Sequence, residues 1–486
     1  MPTPAGNAPN VPSASFDPVA ALDHLLADVG LCSDSAGGSI RFAGQDPILP
    51  ARHRLGACIG IPMMAAAVGA AAFGSQHGDQ GQDLQLDLRQ AIHGINPDLT
   101  WHPTLNGEPP PHPLVYDNPF LLAPFVSADG RTMMASGVYP HLAAKWCRFL
   151  DVPPDFAKVA AAFARWDAFE LEEQANAVGL PLCVARTPEE WLAHEQGALL
   201  ATQPVIGLRR IGDAEPRHRV GPRTAATQPF EGIRALSFTH AIAGPVVGRT
   251  LAEHGADVLC VTRPNDYEHD FIYFHANTGS RSTYADLTTK AGRERTHGLL
   301  TGADVVVNNH RGNKLEALGL QPSVLAERYP GIVAVSITCY GSEGPWARRG
   351  GFDMNGSAAS GLMAIEGSQA EPRLPATGMI NDFITGYLGA AGAAAGLLRQ
   401  ADEGGSWHVT VSLTRTAMWY QTLGLVDPDQ AGSSDEHSPR EPIAIDTSTP
   451  MGAVHTLAPP VQFSRTPARW RDPILVPRGS SPPYWL

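Results

Sequence analysis

"GIRALSFTHAIAGPVVGRTLAEHGADVLCV" (232–261) reads as strand, turn, helix and strand in immediate succession. "IRALSF" (233–238) and "ADVLCVT" (256–262) are apolar runs without the in-out alternation of a half-exposed strand, so both of their faces must be covered. Between them, "PVVGRTLAEHG" (245–255) has helical spacing and carries Pro245 in its first turn, where a missing N–H costs nothing. "ADVVVN" (303–308) and "IVAVSI" (332–337) continue the set. Strand and helix in alternation predict an α/β fold with a doubly wound, mostly parallel sheet, whose ligands bind beyond the carboxyl ends of the strands.

Working outward, "TGMINDFITGYLGAAGAAAGLLRQ" (377–400) holds a single carboxylate, Asp382, ahead of an uncharged run of small residues that suits a helix pressed close against a sheet. Asp382 has two compatible readings. Together with Asn381 it caps the helix that follows, accepting backbone N–H bonds. Shielded at an apolar helix mouth, it is also a usable nucleophile toward an activated carbonyl, with neighbouring backbone N–H groups as an oxyanion hole. An internal repeat supplies a control. "MMAAAVGAAAFGSQHGDQGQDLQLDLRQA" (63–91) and "YLGAAGAAAGLLRQADEGGSWHVTVSLTRTA" (387–417) are both a small-residue helix, a turn with acid and glycine, then an alternating strand. No Asp or Glu lies between Asp46 and Asp79, so the first copy packs its helix without an acid at the place of Asp382.

The anion-binding candidates lie around the first βαβ unit. Its turn, "HAIAGP" (240–245), is not a G-x-G-x-x-G loop, and the second strand ends on Thr262-Arg263 rather than an acid, which argues against NAD or FAD. A small-residue turn, a helix N-terminus and Arg263 suit a phosphate-bearing anion instead, although Arg263 could equally be a solvated strand end. Arg281, Arg311, Arg348 and Arg349 fall near the expected carboxyl ends of strands or in the loops after them.

Other features bound the possibilities. With 486 residues the chain is long enough for two or three domains, and a net charge of −13 without a basic run argues against nucleic acid or an anionic membrane as partner. Six scattered cysteines without a C-x-x-C pair fit reduced thiols in a cytoplasm and give no metal site. The Pro/Ser-rich start has neither the basic nor the apolar region of a signal peptide. "LGACIGIPMMAAAVGAAAFG" (55–74) has the length of a membrane span, but its Ala/Gly content and Pro62 favour a buried helix.

Positions 231–417 resemble the family III CoA-transferases, the CaiB/BaiF family. The likeness runs in order through "GIRALSFTHAIAGPVVGRTLAEHGADVLCV", "NTGSRSTYADL", "ADVVVNNHRGNKLEALGL", "VSITCYGSEGPWARRGGFD", "ASGLM", "NDFITGYLGA" and "VTVSL". The resemblance implies that Asp382 is the nucleophile. It would take the acyl group of an acyl-CoA as a mixed anhydride, carry CoA as an aspartyl-CoA thioester and hand it to a free carboxylate. It also implies CoA contacts at Ala243, Arg263, and Asn309 with Arg311. CoA and acyl-CoA are then substrates, with no tightly bound cofactor. Family racemases use a His in a G-H-D segment; here the segment is Gly351-Phe352-Asp353, which disfavours racemisation. Departures from the family pattern at Ser237, His240, Gly312 and Asn381 leave a non-catalytic CoA-binding relative as the alternative. Residues 55–210 resemble the part of the family that normally follows the catalytic helix, so tail precedes head, as after a trimmed tandem duplication.

The expected organisation is therefore as follows. A disordered or extended N-terminus (1–40) precedes a helix-strand unit (41–105), a small α+β domain (106–212) and a linker (213–230). A Rossmann-like catalytic domain (231–424) and an irregular tail (425–486) complete the chain, with a homodimer as a possible assembly and small-molecule substrates as partners.

Overall fold

The computed structural model describes residues 16–110, 118–217, 227–310 and 312–486. The central sheet runs in the order Arg281–Tyr284, Asp257–Thr262, Arg234–Phe238, Val305–Asn308, Val333–Thr338, Ser406–Ser412 and Gly207–Gly212. All neighbouring pairs are parallel except the last, in which Gly207–Gly212 runs antiparallel to Ser406–Ser412. Numbered along the chain from Arg234, the six parallel strands lie in the order 3-2-1-4-5-6, the doubly wound arrangement expected from the sequence. Its switch point lies between Arg234–Phe238 and Val305–Asn308, where successive connections leave toward opposite sides.

One face of the sheet is covered by the Asp382 helix, Asn381–Glu403, and small residues make that approach possible. Toward its start it meets the neighbouring helix Ala243–Glu253, where a Cβ built on Gly386 would lie 2.5 Å from Val246 Cγ1 and 2.9 Å from the Ala243 carbonyl oxygen. The same construction puts Gly389 against Val247 of that neighbouring helix, Gly392 against Val409 of the sheet and Ile206 beside it, and Gly396 against Val333 of the sheet, all closer than 3.0 Å at the nearest atom. The other flank of this helix meets the companion helix Leu55–Gln76, where a Cβ on Gly69 would come within 2.7 Å of the Ala394 methyl. That companion helix is apolar and long enough to cross a bilayer, yet every residue from Leu55 to Gly74 is buried in the protein core.

The two helix-strand units share local structure but not a sheet. Leu84–Asp87 pairs in parallel with Ile40–Ala43 in a small separate sheet, whereas Ser406–Ser412 belongs to the central one. Each helix N-terminus is held by an aspartate from outside the helix. Asp46 Oδ1 and Oδ2 accept from the backbone N–H groups of Gly56 and Ala57, both at 2.8 Å, and Asp353 does the same for the Asp382 helix.

A small three-stranded antiparallel sheet, Pro124–Val126, Thr132–Ala135 and Leu182–Val184, packs with its helices over an aromatic core of Phe120, Phe125, Trp146 and Phe163. Buried Arg186 and Glu172 pair at 2.5 Å there, and Glu172 also accepts the Val184 N–H at 2.7 Å. The expected boundary of this unit at 212 is displaced, because Gly207–Gly212 leaves it to satisfy the backbone edge of Ser406–Ser412.

Both ends of the chain depart from expectation. Residues 1–15 and 218–226 lie outside the described residues, but within the segment 1–40, expected to be disordered or extended, Pro18–Leu26 is a helix capped by Asp17. The tail, expected to be irregular, contains the hairpin Ala444–Thr449 and Gly452–Leu457 and then wraps the core. Phe463 pairs with Leu84, the Trp470 indole N–H donates to the Arg249 carbonyl at 3.1 Å, and Ser480 bridges to Thr283. These partners are distant in sequence, so no local periodicity announces them.

Candidate active site

At the switch point the loops after the first and fourth parallel strands are tied together. The His240 N–H donates to Asn309 Oδ1 at 3.1 Å, and Asn309 Nδ2 donates back to the His240 carbonyl at 2.7 Å. The rings of His240 and His310 stack with centroids 4.9 Å apart and planes inclined by 13°. Burial, helped by the cation of Lys314, pushes His240 down to about 3 and His310 to about 4, so both imidazoles are neutral near pH 7.

Two adjoining cavities open around this pair. The larger, about 660 Å³, has Asp382, Ala243, Asn309, Tyr139, Phe352 and Arg349 in its wall. The smaller, about 300 Å³, is lined by Thr262, Arg263, Cys260, Tyr273 and Arg478. Both share His240, Asp266, Tyr267, His310 and Lys314, which places cations at one end of a continuous wall and Asp382 at the other.

Asp382 lies in the first turn of its helix, 8 % exposed, and its carboxyl takes no hydrogen bond among the described residues. The capping is done by Asp353. Its carboxylate accepts the N–H groups of Ile380 at 3.1 Å, Asn381 at 2.6 Å and Asp382 at 2.9 Å, and the Asn381 side-chain amide at 3.2 Å. The expectation that Asp382 caps its own helix is thus corrected, and the same three N–H groups are unavailable as an oxyanion hole. Asn381 is fixed in turn: its Nδ2 donates to Ser357 Oγ at 2.9 Å and its Oδ1 accepts from the Tyr420 hydroxyl at 2.8 Å. Burial and the nearby Asp353 charge push the Asp382 carboxyl well above the usual carboxylate range. Asp353 is raised by burial too, but its donors hold it as the anion, so the proton shared by this pair resides on Asp382.

Of the residues singled out in the sequence, the structure brings Asp382, Ala243 and Asn309 into one cavity and Arg263 into the adjoining one. Arg263 is half-exposed with its Nε 3.7 Å from Asp286. Arg281 is corrected: it begins its strand rather than ending it, forms a bidentate pair with Asp257 at 2.8 and 2.9 Å, and lines neither cavity. Arg311 lies outside the described residues. Arg348 is exposed, whereas Arg349 lines the larger cavity with Nη2 on Glu173 and its guanidinium over Trp346 at 4.2 Å.

Sequence reasoning missed Tyr139, Glu268 and Arg478. The Tyr139 hydroxyl donates to Glu268 Oε1 at 2.9 Å, and Glu268 Oε2 accepts the Ala241 N–H at 2.9 Å, fastening the small unit over the cavity. Ala241 itself has a φ of +57°, a left-handed conformation that the loop imposes on a residue with a side chain. Arg478 reaches from the tail to the Asp266 carbonyl at 2.9 Å and Thr262 Oγ1 at 2.8 Å. No sequence pattern links these residues, whereas Asp353 stood in the quoted Gly351-Phe352-Asp353 segment and could have been read as a cap.

Residues 230–442 match the family model described as CoA-transferase family III. These residues, a little under half of the chain, carry its likeness to that family. It is 32 % identical over 203 residues to a succinate–glutarate CoA-transferase of Agrobacterium fabrum, covering 38 % of this chain and 51 % of that protein. A cinnamoyl-CoA:phenyllactate CoA-transferase of Clostridium sporogenes is 30 % identical over 231 residues, covering 42 % of this chain and 55 % of the relative. The solved structure of a CaiB/BaiF family protein from Brucella suis aligns at 27 % identity with a TM-score of 0.37, covering 47 % of this chain and 65 % of that one. The chain thus spans about half the length of the curated relatives it matches.

Proposed function

We infer that this chain moves CoA from an acyl-CoA to a free carboxylate with Asp382 as the nucleophile. The observation that carries this reading is a carboxyl with no hydrogen-bond partner among the described residues, in the wall of a cavity of about 660 Å³ that adjoins a second one bearing Arg263, Lys314 and Arg478. Those cations suit the phosphates of CoA, and Ala243 and Asn309 line the path toward the thioester.

Once ionised, the Asp382 carboxylate attacks the thioester carbonyl. A C–O bond forms, the C–S bond breaks and CoA leaves as thiolate. The thiolate then attacks the aspartyl carbonyl of the mixed anhydride, releasing the acyl group as its carboxylate and leaving CoA on Asp382. An acceptor carboxylate runs the same two steps in reverse and departs as the new acyl-CoA. Burial that raises the basicity of Asp382 also strengthens it as a nucleophile, at the expense of the ionised fraction near neutrality. Phe352, in the wall of the same cavity as Asp382, offers no atom for a second proton transfer, so the site suits transfer rather than racemisation. The six cysteines are free thiols, which fits a reducing, cytoplasmic setting. Packing of the Leu55–Gln76 helix against Asn381–Glu403 supports the reading of a duplicated unit with one active copy.

Incubation with a panel of acyl-CoAs, followed by hydroxylamine or borohydride and mass spectrometry, is the test. The peptide containing Asp382 should carry the modification. No modification across the panel, with CoA binding intact, would instead leave a CoA-binding protein without transferase chemistry.

A further inference from the structure

An acid in the first turn of a helix normally turns back onto the free N–H groups there. Asp382 does not, and the reason is visible: the N–H groups of Ile380, Asn381 and Asp382 are already taken by Asp353. We propose that Asp353 is a positioning residue that pre-empts the helix cap, leaving the Asp382 carboxyl without a backbone donor and therefore presented to the cavity. The Asn381 amide and the Tyr420 hydroxyl hold Asp353 in this role. Asn381 Nδ2 donates to Asp353 Oδ1 at 3.2 Å and to the Asp353 carbonyl at 3.0 Å, and Tyr420 pins the opposite side of the same amide at 2.8 Å.

The companion helix is a built-in comparison. Asp46 caps it in the same way, accepting from Gly56 and Ala57, but its first turn contains no acid that could take over the cap. Loss of Asp353 therefore has a local substitute, and loss of Asp46 has none. In Asp353→Ala the freed N–H groups draw in the Asp382 carboxylate, which is also relieved of a neighbouring negative charge. The helix keeps a cap and the site loses its nucleophile.

The experiment measures thermal midpoints of Asp353→Ala, Asp382→Ala, the double variant and Asp46→Ala, together with CoA binding and labelling of Asp382 in full-length protein. The labelling arm rests on Asp382 being the nucleophile; the stability arm does not, so the two readings fail separately. Asp353→Ala should lose less thermal stability than Asp46→Ala. The double variant should fall well below the sum of its two singles, because it alone leaves the turn uncapped. Labelling in Asp353→Ala should drop on the order of a hundredfold, the scale of a misplaced reacting group, with CoA affinity retained. Asp353→Asn, which keeps an acceptor oxygen but no charge, should lie between parent and Asp353→Ala in labelling. Additive stabilities, an Asp353→Ala loss as large as that of Asp46→Ala, or failure of Asp353→Ala to fold would each overturn the proposal.

Discussion

Exchange of Gly386 for alanine tests the close approach of the Asp382 helix to the neighbouring helix Ala243–Glu253. In an open helix this change stabilises by about 0.5–1 kcal/mol, because glycine loses more backbone freedom on folding than alanine does. Here the new methyl would sit 2.5 Å from Val246 Cγ1, 2.6 Å from Val246 Cβ and 2.9 Å from the Ala243 carbonyl oxygen. Two of the obstacles belong to a β-branched side chain and one to backbone, so none can swing aside as the tip of a flexible chain would. Overpacking of this kind costs about 1–3 kcal/mol, and after subtracting the helical gain the net loss is about 1–2 kcal/mol. Gly298 is the control: it is exposed in the helix Lys290–Thr301, and a Cβ there meets nothing within 4 Å. Gly298→Ala should raise the midpoint of thermal unfolding slightly and Gly386→Ala should lower it by several degrees, measured by calorimetry in one buffer. Equal or greater stability of Gly386→Ala relative to Gly298→Ala would show that the Asp382 helix does not rest on the helix Ala243–Glu253 as closely as described. The activity readout sharpens the test, because the displaced turn carries Asp382 at one end and presses on Ala243 at the other.

Other expected outcomes concern ionisation and ligand contacts. Because the folded-state carboxyl of Asp382 is raised above its unfolded value, stability is lost as pH climbs from about the ordinary Asp range of 3.8 toward the raised value. Asp382→Asn should therefore be more stable than the parent at pH 7 and indistinguishable below about pH 4, by thermal unfolding across pH; a variant equally stabilised at all pH values contradicts this. Glu253 obeys the same sign, its carboxyl pushed up from 4.5 to about 8 by burial, so Glu253→Gln should flatten the fall in stability between those two pH values. Lys314→Ala and Arg263→Ala should each weaken CoA binding by about 1.5 kcal/mol, roughly tenfold, in titration calorimetry. Arg281→Ala should leave CoA affinity unchanged but cost about 2 kcal/mol of stability, since the half-buried Asp257 carboxylate loses its bidentate partner and keeps only the Leu486 N–H. A CoA-binding defect in Arg281→Ala would return it to the site.

The βαβ alternation from Arg234 onward, the buried companion helix and the candidate nucleophile were legible in the chain, for a shared reason. Strand burial, helix packing and the isolation of one acid in a run of small residues are local in sequence, and their periodicity records which faces are covered. The site itself was only partly legible. Ala243, Asn309 and Arg263 follow strand ends, and the doubly wound order makes strand ends converge. Arg281 looked equivalent, but its position at the start rather than the end of a strand, beside Asp257, sends it away from the cavities. Tyr139, Glu268 and Arg478 come from segments far apart in the chain and meet only through packing of the small unit and the tail.

For Asp382 the division is clearest. A lone carboxylate opening an apolar helix, and a second small-residue helix with no acid at its start, are both readable in the chain. Which acid caps the Asp382 helix is settled by a long-range contact. A helix N-terminus has a fixed number of free N–H groups, and whichever carboxylate reaches them first leaves the other exposed to the cavity. Asp353, 29 residues away in the chain, reaches them, and Asp382 is left facing the cavity.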